Sequence, residues 1–321
     1  MLVSILIPCF NAERWVAQAI ESALAQTWPE KEVIVVDDGS TDGSLEVIQS
    51  FGNRIVFQPG PHAGANAARN HLTALARGEW LQYLDADDYL LPGKLTSQIR
   101  MLQGAQEKFD VICSPVICHT TSGGADRVLA IEHADATLNF INWGALQTTG
   151  MLFRREAVLQ VGGWKADQPC CQEHELLLRL LLAGRHFATG NTPGSVYRVH
   201  GEDTVSRRDP LRVIRTRMEI TDRLAQYLDS IGSLTPAHRT ALFVARMESA
   251  RSAYAKGDAE LAAHLYVKAR ETGRWWLGRS GALPLYYRMA LLLFGFKRAE
   301  LLAELRRRWM SHGRSPSPQR Q

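Results

Sequence analysis

Continuous apolar runs alternate with amphipathic stretches along the first hundred residues of the chain. Between the runs, apolar side chains recur at helical spacing from Trp15 to Leu24, and an alanine-rich stretch ends at Gly78. This alternation predicts buried strands separated by helices. The predicted strands lie at residues 3–10, 31–40, 54–58 and 80–88.

Strands that are apolar along their whole length, with helices between them, are typical of a parallel sheet covered on both faces. In such sheets, ligands bind beyond the carboxyl ends of the strands. Two acidic clusters fall at these ends, at residues 37–42 and 85–88. The pattern therefore predicts an α/β fold with a mostly parallel sheet flanked by helices, and a binding site where the clusters meet.

The second half of the chain has a different pattern. Residues 111–200 mix strand and helix signals, whereas long helical segments dominate after about Pro210. Residues 241–271 predict a helical hairpin that turns at Gly257 and Asp258. We therefore expect a smaller all-helical C-terminal region.

Composition and charge narrow the class of protein. The formal net charge is +4 over 321 residues, but residues 271–321 carry ten Arg and Lys against three Glu. This basic segment indicates that the protein binds an anionic surface. The alternative interpretation is that the segment is a solvated tail without a partner. The five cysteines form no CxxC pair, and no run is long enough to span a bilayer. We therefore expect a cytoplasmic, reducing location and no structural zinc.

The acidic cluster at 85–88 is a candidate metal site. Asp85 and Asp87 point to one side if the strand continues, and such close carboxylates repel unless a cation lies between them. Mg²⁺ and Mn²⁺ prefer oxygen ligands and are often shared with substrate phosphates. The alternative is a capping turn before the helix near Pro92.

The cluster at 37–42 is a candidate nucleotide site. A strand followed by Gly and small polar residues lets a nucleotide approach closely, and Asp37 and Asp38 can accept hydrogen bonds from a base or ribose. The alternative is a turn that caps the next helix.

Both clusters, taken in order with the segments around them, resemble the family 2 glycosyltransferases, which are inverting enzymes with the GT-A fold. The matching segments are VSILIPCFNAERW, EVIVVDDGSTDGS, GANAARN, WLQYLDADDYLLPGKL, QEHELLLRL and VYRVHGEDTVS. The resemblance covers residues 1–207, where we expect a catalytic domain that binds a nucleotide sugar. Residues 208–310 would form the helical region. Residues 311–321, poor in apolar side chains, would be a disordered tail.

The resemblance also implies a nucleotide-diphospho-sugar donor, a divalent metal (Mg²⁺ or Mn²⁺), and roles for individual residues. Asp38 would face the base, and Asp87 would be the direct metal ligand, helped by His200. His200 has an alternative interpretation as an ordinary histidine at a strand end. The donor-binding residues implied are Pro8, Phe10, Glu13, Asp37, Asp38, Arg69 and Asp85.

The catalytic base of the family belongs to a Glu-Asp pair at the start of a helix. Alignment on Leu176 and Arg179 places Gln172 and Glu173 there, so Glu173 stands where Asp is usual and Gln172 replaces the Glu. Glu173 keeps the carboxylate but extends it by one methylene. We predict Glu173 as the base, with Glu175 as the alternative, since acids near a helix N-terminus are also favoured by the helix dipole.

The sequence therefore predicts a metal-dependent inverting glycosyltransferase that acts on a hydroxyl of a glycan or lipid-linked acceptor, with no nucleic-acid partner. One alternative is a nucleotidyltransferase, disfavoured because residues 8–15 contain no glycine. Another is an assembly protein that binds sugar nucleotide or glycan without catalysis. The basic end predicts peripheral contact with the inner face of the plasma membrane, or else a packed helical subdomain. Its aromatic residues are Trp275, Trp276, Tyr286, Tyr287, Phe294, Phe296 and Trp309.

Overall fold

A computed structural model describes residues 1–143, 146–200, 209–272 and 284–312. The chain divides into two compact units, Met1–Tyr227 and Leu228–Gln321. The predicted domain boundary at 207/208 and residues 313–321 of the predicted tail lie outside the described residues, whereas residues 311 and 312 end a helix.

The first unit is built on two sheets. The larger has the strand order β10-β6-β9-β4-β1-β2-β3 and the smaller the order β5-β11-β7-β8. The strands are β1 (Val3–Cys9), β2 (Lys31–Asp38), β3 (Val56–Gly60), β4 (Trp80–Tyr83), β5 (Tyr89–Leu90), β6 (Val111–Cys113), β7 (Val116–Thr120), β8 (Arg127–Leu129), β9 (Met151–Arg154), β10 (Phe187–Thr189) and β11 (Ser195–Val199).

The larger sheet is mostly parallel, as its apolar strands predicted. Strand β1 runs parallel to both β2 and β4, and only β9 runs antiparallel to its neighbours. The core is formed by β1 and β2 with the apolar faces of the first helices, including the fully buried Ile5, Ile7, Val35 and Ile20. The predicted α/β architecture is confirmed.

Helices lie between the strands along the chain, and one more helix follows the last strand. They are α1 (Val16–Leu24), α2 (Ser44–Gln49), α3 (Ala65–Leu75), α4 (Lys94–Gly104), α5 (Ala136–Asn142), α6 (Arg155–Gln160), α7 (Gln172–Leu182) and α8 (Pro210–Ser230). The chain changes sheets between β6 and β7 at Ser114 and Pro115, where the Ser114 N–H donates to the Gly150 carbonyl (3.1 Å).

The second unit is helical. Helices α9 (Pro236–Ala255) and α10 (Ala259–Glu271) form the predicted hairpin, which turns at Gly257, a residue with φ of +86°. Helix α11 (Leu285–His312) is interrupted at Gly295, where φ is +74° and ψ is 175°. No helix within the described residues is long and apolar enough to cross a membrane.

Candidate active site

The carboxyl ends of β1, β2 and β4 lie side by side. Cys9 in β1 pairs with Asp37 in β2, and the Leu84 N–H continues the β1–β4 pairing by donating to the Leu6 carbonyl (2.9 Å). Asp85 follows immediately. The two predicted acidic clusters therefore begin at neighbouring strand ends, at one edge of the sheet.

The first cluster is closely tied to the loop before α3. The buried Asp38 carboxylate accepts hydrogen bonds from the N–H groups of Ala63 (2.8 Å) and Gly64 (2.9 Å), and its Oδ2 lies 3.0 Å from His62 Nδ1. Asp37 Oδ2 accepts from the Ser40 N–H (3.1 Å), while its buried Oδ1 has no hydrogen-bond partner in the described part of the chain. Asp37 thus keeps a free acceptor atom, whereas Asp38 orders the loop.

The loop after β1 supplies an exposed ring and a carboxylate. The Phe10 ring is 46% exposed and stacks on His62 with centroids 4.2 Å apart. Glu13 Oε2 accepts from the Gly43 N–H (3.1 Å), so Glu13 supports the turn after β2, and Pro8 lies within β1. Asn11 was not singled out in the sequence. It has φ of +48° and accepts from the Thr41 N–H (2.8 Å), a conformation Asn tolerates better than most residues.

The second cluster is placed by the pairing of β5 with β11. Leu90 pairs with Ser195 in antiparallel register, so the residues before β5 run alongside the residues after β11. Asp88 Oδ1 accepts from the Arg198 N–H (2.8 Å), and Arg198 Nη1 donates to the Asp87 carbonyl (2.7 Å). This register brings His200 Nε2 to 2.7 Å from Asp87 Oδ2.

The carboxylates of this cluster repel one another. Burial and then the Asp85 charge raise the pKa of Asp87, against the opposing effect of His200. Burial and the Asp87 and Asp85 charges raise the pKa of Asp88 well above its ordinary value. A cation beside Asp87 would relieve this repulsion.

Asp87 and His200 fit a small divalent metal as two of its ligands. The part of the chain that the structure describes contains no cluster of three or more His, Cys, Asp and Glu side chains that could enclose an ion. A two-residue site suits Mg²⁺ or Mn²⁺, since Mg²⁺ commonly takes its other ligands from water and substrate phosphates.

Arg69 connects the second cluster to α7. Its side chain is 8% exposed, and Nη2 lies 2.7 Å from Asp85 Oδ1. Nη1 donates to Gln172 Oε1 and Asn66 Oδ1, both at 3.2 Å, and the guanidinium faces the Trp164 ring at 4.7 Å. The start of α7 is thereby held next to the acidic turn. Trp164 belongs to none of the sequence motifs, and no sequence signal pointed to it.

The two acids at the start of α7 have different surroundings. The Glu175 side chain is 4% exposed and accepts from Arg179 Nε (2.9 Å), with Nη2 at 2.7 Å. The Glu173 side chain is 27% exposed, and its Oε1 lies 3.3 Å from Nδ1 of His174. The buried His174 stacks flat on Trp143, with centroids 3.7 Å apart and 2° between the planes.

The pKa of Glu173 is lowered. Burial raises it, but the contact with His174, the helix N-terminal backbone and the charge of Arg69 together bring it below its ordinary value. Glu173 is therefore the partly accessible acid of this helix and is ionised at neutral pH.

Known proteins share this fold and sequence pattern. An uncharacterized glycosyltransferase of Rickettsia felis is 30% identical over 195 residues, which are 58% of this chain and 32% of that protein. The chain thus spans about a third of the length of that relative. Two solved structures are similar in fold: S. aureus TarS in complex with UDP-GlcNAc, and the mannosyltransferase PcManGT from Pyrobaculum calidifontis in complex with GDP-Man and Mn²⁺.

The fold similarity extends over most of the chain at low sequence identity. TarS is 16% identical with a TM-score of 0.58, covering 84% of this chain and 92% of that one. PcManGT is 18% identical with a TM-score of 0.52, covering 94% and 86%. The model of glycosyl transferase family 2 matches residues 4–161, which include both acidic clusters and Arg69. The chain therefore belongs to the family 2 glycosyltransferases.

Proposed function

We propose that the protein transfers a sugar from a nucleotide-diphospho-sugar to a hydroxyl of a glycan or lipid-linked acceptor, with inversion at the sugar carbon. The observation that carries this proposal is the Arg69 bridge, in which one guanidinium contacts both Asp85 and Gln172. It brings the donor-side acids and the start of α7 to one edge of the sheet, as a single displacement between donor and acceptor requires.

The donor nucleotide would lie along the ends of β1 and β2. The stacked rings of Phe10 and His62 offer a flat apolar surface, and Asp37 Oδ1 is a free acceptor at the same edge. Asp38 was predicted to face the base; its contacts with the loop at 62–64 support a role in shaping that surface, and its direct contact stays a prediction. The complexes of TarS with UDP-GlcNAc and of PcManGT with GDP-Man support a nucleotide-diphospho-sugar as the donor.

Asp87 and His200 would hold the divalent metal. When bound, the metal neutralises the charge that develops on the leaving diphosphate. Arg69 orients Asp85 by a direct ion pair, so the acidic turn is preorganised before the donor binds. The Mn²⁺ in the PcManGT structure supports this choice of metal.

Glu173 would act as the general base. It would accept the proton of the acceptor hydroxyl as that oxygen attacks the sugar carbon from the face opposite the diphosphate. Glu173 is partly exposed and ionised, whereas Glu175 is buried in an ion pair with Arg179. These surroundings favour Glu173 over Glu175.

The second unit would contact a membrane surface peripherally, at the inner face of the plasma membrane, where a lipid-linked acceptor would be found. Tyr286 and Phe294 are 43% and 49% exposed, which supports this role. Tyr287 and Phe296 are 1% and 7% exposed and pack inside the unit instead. Trp275 and Trp276 lie outside the described residues, as does the side chain of Trp309.

Two variants test the proposal. Donor binding is measured by the Mn²⁺-dependent thermal shift with UDP, UDP-sugars, GDP and GDP-mannose, and turnover by release of nucleoside diphosphate. Glu173→Gln should keep the shift and lose turnover, whereas Asp87→Ala should lose both. Full activity in both variants would refute the assignment. Metal-dependent binding without turnover on any glycan or lipid-linked acceptor would favour the non-catalytic alternative.

A further inference from the structure

The second unit contains a cavity, lined by apolar side chains together with a tyrosine and an arginine, that the proposed reaction does not use. Its volume is about 280 Å³. An apolar cavity of about 150 Å³ is already enough to bind benzene, so this space can hold a segment of a hydrocarbon chain. It is lined by Phe243 and Met247 of α9, Tyr266 and Arg270 of α10, and Leu291, Leu292 and Gly295 of α11.

The cavity exists because α11 breaks at a residue without a side chain. Gly295 has φ of +74°, and a Cβ placed there would meet no atom within 4 Å. Directly after the break, Phe296 turns inward and stacks on Tyr266 with centroids 4.9 Å apart. The helix therefore resumes in a new direction, and the space beside Gly295 stays unfilled.

The cavity has an apolar floor and a cationic side. Phe243, Met247 and Leu291 are 2%, 1% and 7% exposed and form the floor. Leu292 is 46% exposed at the opening, and Arg270 is also exposed. Across the described residues, Arg270 forms no ion pair, and its guanidinium lies 6.0 Å from the Tyr266 ring centroid. This combination suits a ligand with an apolar chain and an anionic head.

The surface around the opening is apolar and basic. Of the sixteen exposed large hydrophobic side chains in the described part of the protein, nine belong to α11. The same helix carries Arg288, Lys297, Arg298 and Arg306. The helix also carries two acids: Glu300, which is buried and paired with Arg251 at 2.8 Å, and Glu304, which is half-buried. The nine side chains are Leu285, Tyr286, Met289, Leu292, Leu293, Phe294, Leu301, Leu302 and Leu305.

We infer that this cavity binds the hydrocarbon chain of an anionic lipid, with Arg270 paired to the phosphate of its headgroup. A free nucleotide fits poorly, because apart from Arg270 and the Tyr266 hydroxyl the lining offers no side-chain group that hydrogen-bonds a base or ribose. The inference extends the proposed membrane contact of α11 from a surface to a site for one lipid. It does not depend on sugar transfer, since lipid binding requires neither donor nor metal.

The test uses isothermal titration of the full chain with decyl phosphate below its critical micelle concentration, without nucleotide or metal. Decanol supplies the chain alone, and inorganic phosphate supplies the head alone. Decyl phosphate should bind with a stoichiometry of one, decanol more weakly, and inorganic phosphate not measurably. Absence of saturable binding, or equal binding of inorganic phosphate, would overturn the site.

Two pairs of variants locate the site. Leu292→Trp fills the opening and should weaken decyl phosphate binding by about tenfold or more, equivalent to about 1.4 kcal/mol, while Leu293→Trp should not. Leu293 is 66% exposed and lies outside the cavity lining, and Trp at either position would strengthen simple partition into a lipid surface. Equal effects of the two substitutions would therefore refute a cavity site.

The charged group is tested by Arg270→Gln, which leaves the apolar floor intact. The affinity for decyl phosphate should fall by about twofold to fivefold, as expected for the loss of an exposed ion pair, and the affinity for decanol should not change. Lys256→Gln, an exposed residue outside the cavity, is the matched control. If Arg270→Gln lowered the affinities for decanol and decyl phosphate equally, the proposed pairing of Arg270 with the phosphate would be wrong.

Discussion

Arg69 Nη2 lies 2.7 Å from Asp85 Oδ1, and Nη1 of the same guanidinium donates to Gln172 Oε1 at 3.2 Å. Three segments that are far apart in sequence therefore meet at one buried cation. Its positive charge pairs with Asp85 and helps to lower the pKa of Glu173. Gln172, which the family resemblance aligns with a Glu, is a neutral partner of this guanidinium.

Removal of this cation should cost both stability and donor binding. We expect Arg69→Met to lower the free energy of unfolding by about 1–3 kcal/mol, because Asp85 and Gln172 lose their donor. We also expect weaker Mn²⁺-dependent binding of UDP or GDP, measured by titration calorimetry. The control is Arg239→Met, which removes a 3.5 Å contact with Asp229 between side chains that are 41% and 68% exposed, and which should cost less than about 1 kcal/mol. Equal losses for the two variants would contradict a special role for Arg69.

Substitution of the two acids at the start of α7 should have different effects, one on stability and the other on catalysis. Glu175→Gln should lower the free energy of unfolding by about 1–3 kcal/mol, because Arg179 loses its charged acceptor, and should retain measurable transfer. Glu173→Gln should fold normally and lose about 10²–10⁴ in turnover, the usual contribution of a general base. Urea unfolding and nucleoside diphosphate release measure the two effects. The reverse pattern would assign the base to Glu175.

His174 should position Glu173 and set its proton affinity. His174→Phe keeps a flat ring against Trp143 but removes the nitrogen 3.3 Å from Glu173 Oε1. Since His174 helps to lower the pKa of Glu173 against the effect of burial, its loss should raise that pKa. The base is then protonated over a wider acidic range, so the acid limb of the kcat/KM profile should move to higher pH while the alkaline plateau is kept. A uniform loss at all pH values would indicate a structural role only.

The placement of both acidic clusters was predictable from the sequence, because apolar strands and the acids after them are local features. Continuous burial of β1 and β2 indicates a parallel sheet, and parallel strands bring their carboxyl ends to one edge. The meeting of Asp87 with His200 came only from the family resemblance. Its physical cause is the β5–β11 register, a pairing across more than a hundred residues that no local pattern encodes.

The partners of individual side chains were not predictable in the same way. The Asp38 carboxylate accepts hydrogen bonds from the N–H groups of Ala63 and Gly64. These contacts depend on the geometry of the loop and not on the alternation of side chains along the strand. In the last helix, the aromatic residues expected together at a membrane divide into inward and outward groups. The break at Gly295 resets the helical phase, so Phe294 is exposed and Phe296 is buried.

Lys94 should give the protein an unusual stability gain at alkaline pH. It is 3% exposed, donates to Gln98 Oε1 (2.8 Å) and to Gln82, and burial lowers its pKa to about 7. An unfolded lysine titrates near 10.4. Between these values the unfolded chain binds one more proton than the folded chain, so unfolding becomes harder as pH rises, by at most about 1.4 kcal/mol per pH unit.

Lys94→Met removes this difference in bound protons. It should therefore remove the contribution of Lys94 to the rise of the free energy of unfolding with pH. Urea unfolding at pH 7, 8 and 9 should show the wild type gaining up to about 2–3 kcal/mol relative to the variant over this range. Below pH 7 both states of the wild type bind the proton, so the difference between the two proteins should become constant there. Lys108→Met, at an exposed lysine, should follow the wild-type slope. Parallel curves for wild type and Lys94→Met would mean that Lys94 stays charged in the core, held by its two glutamine acceptors.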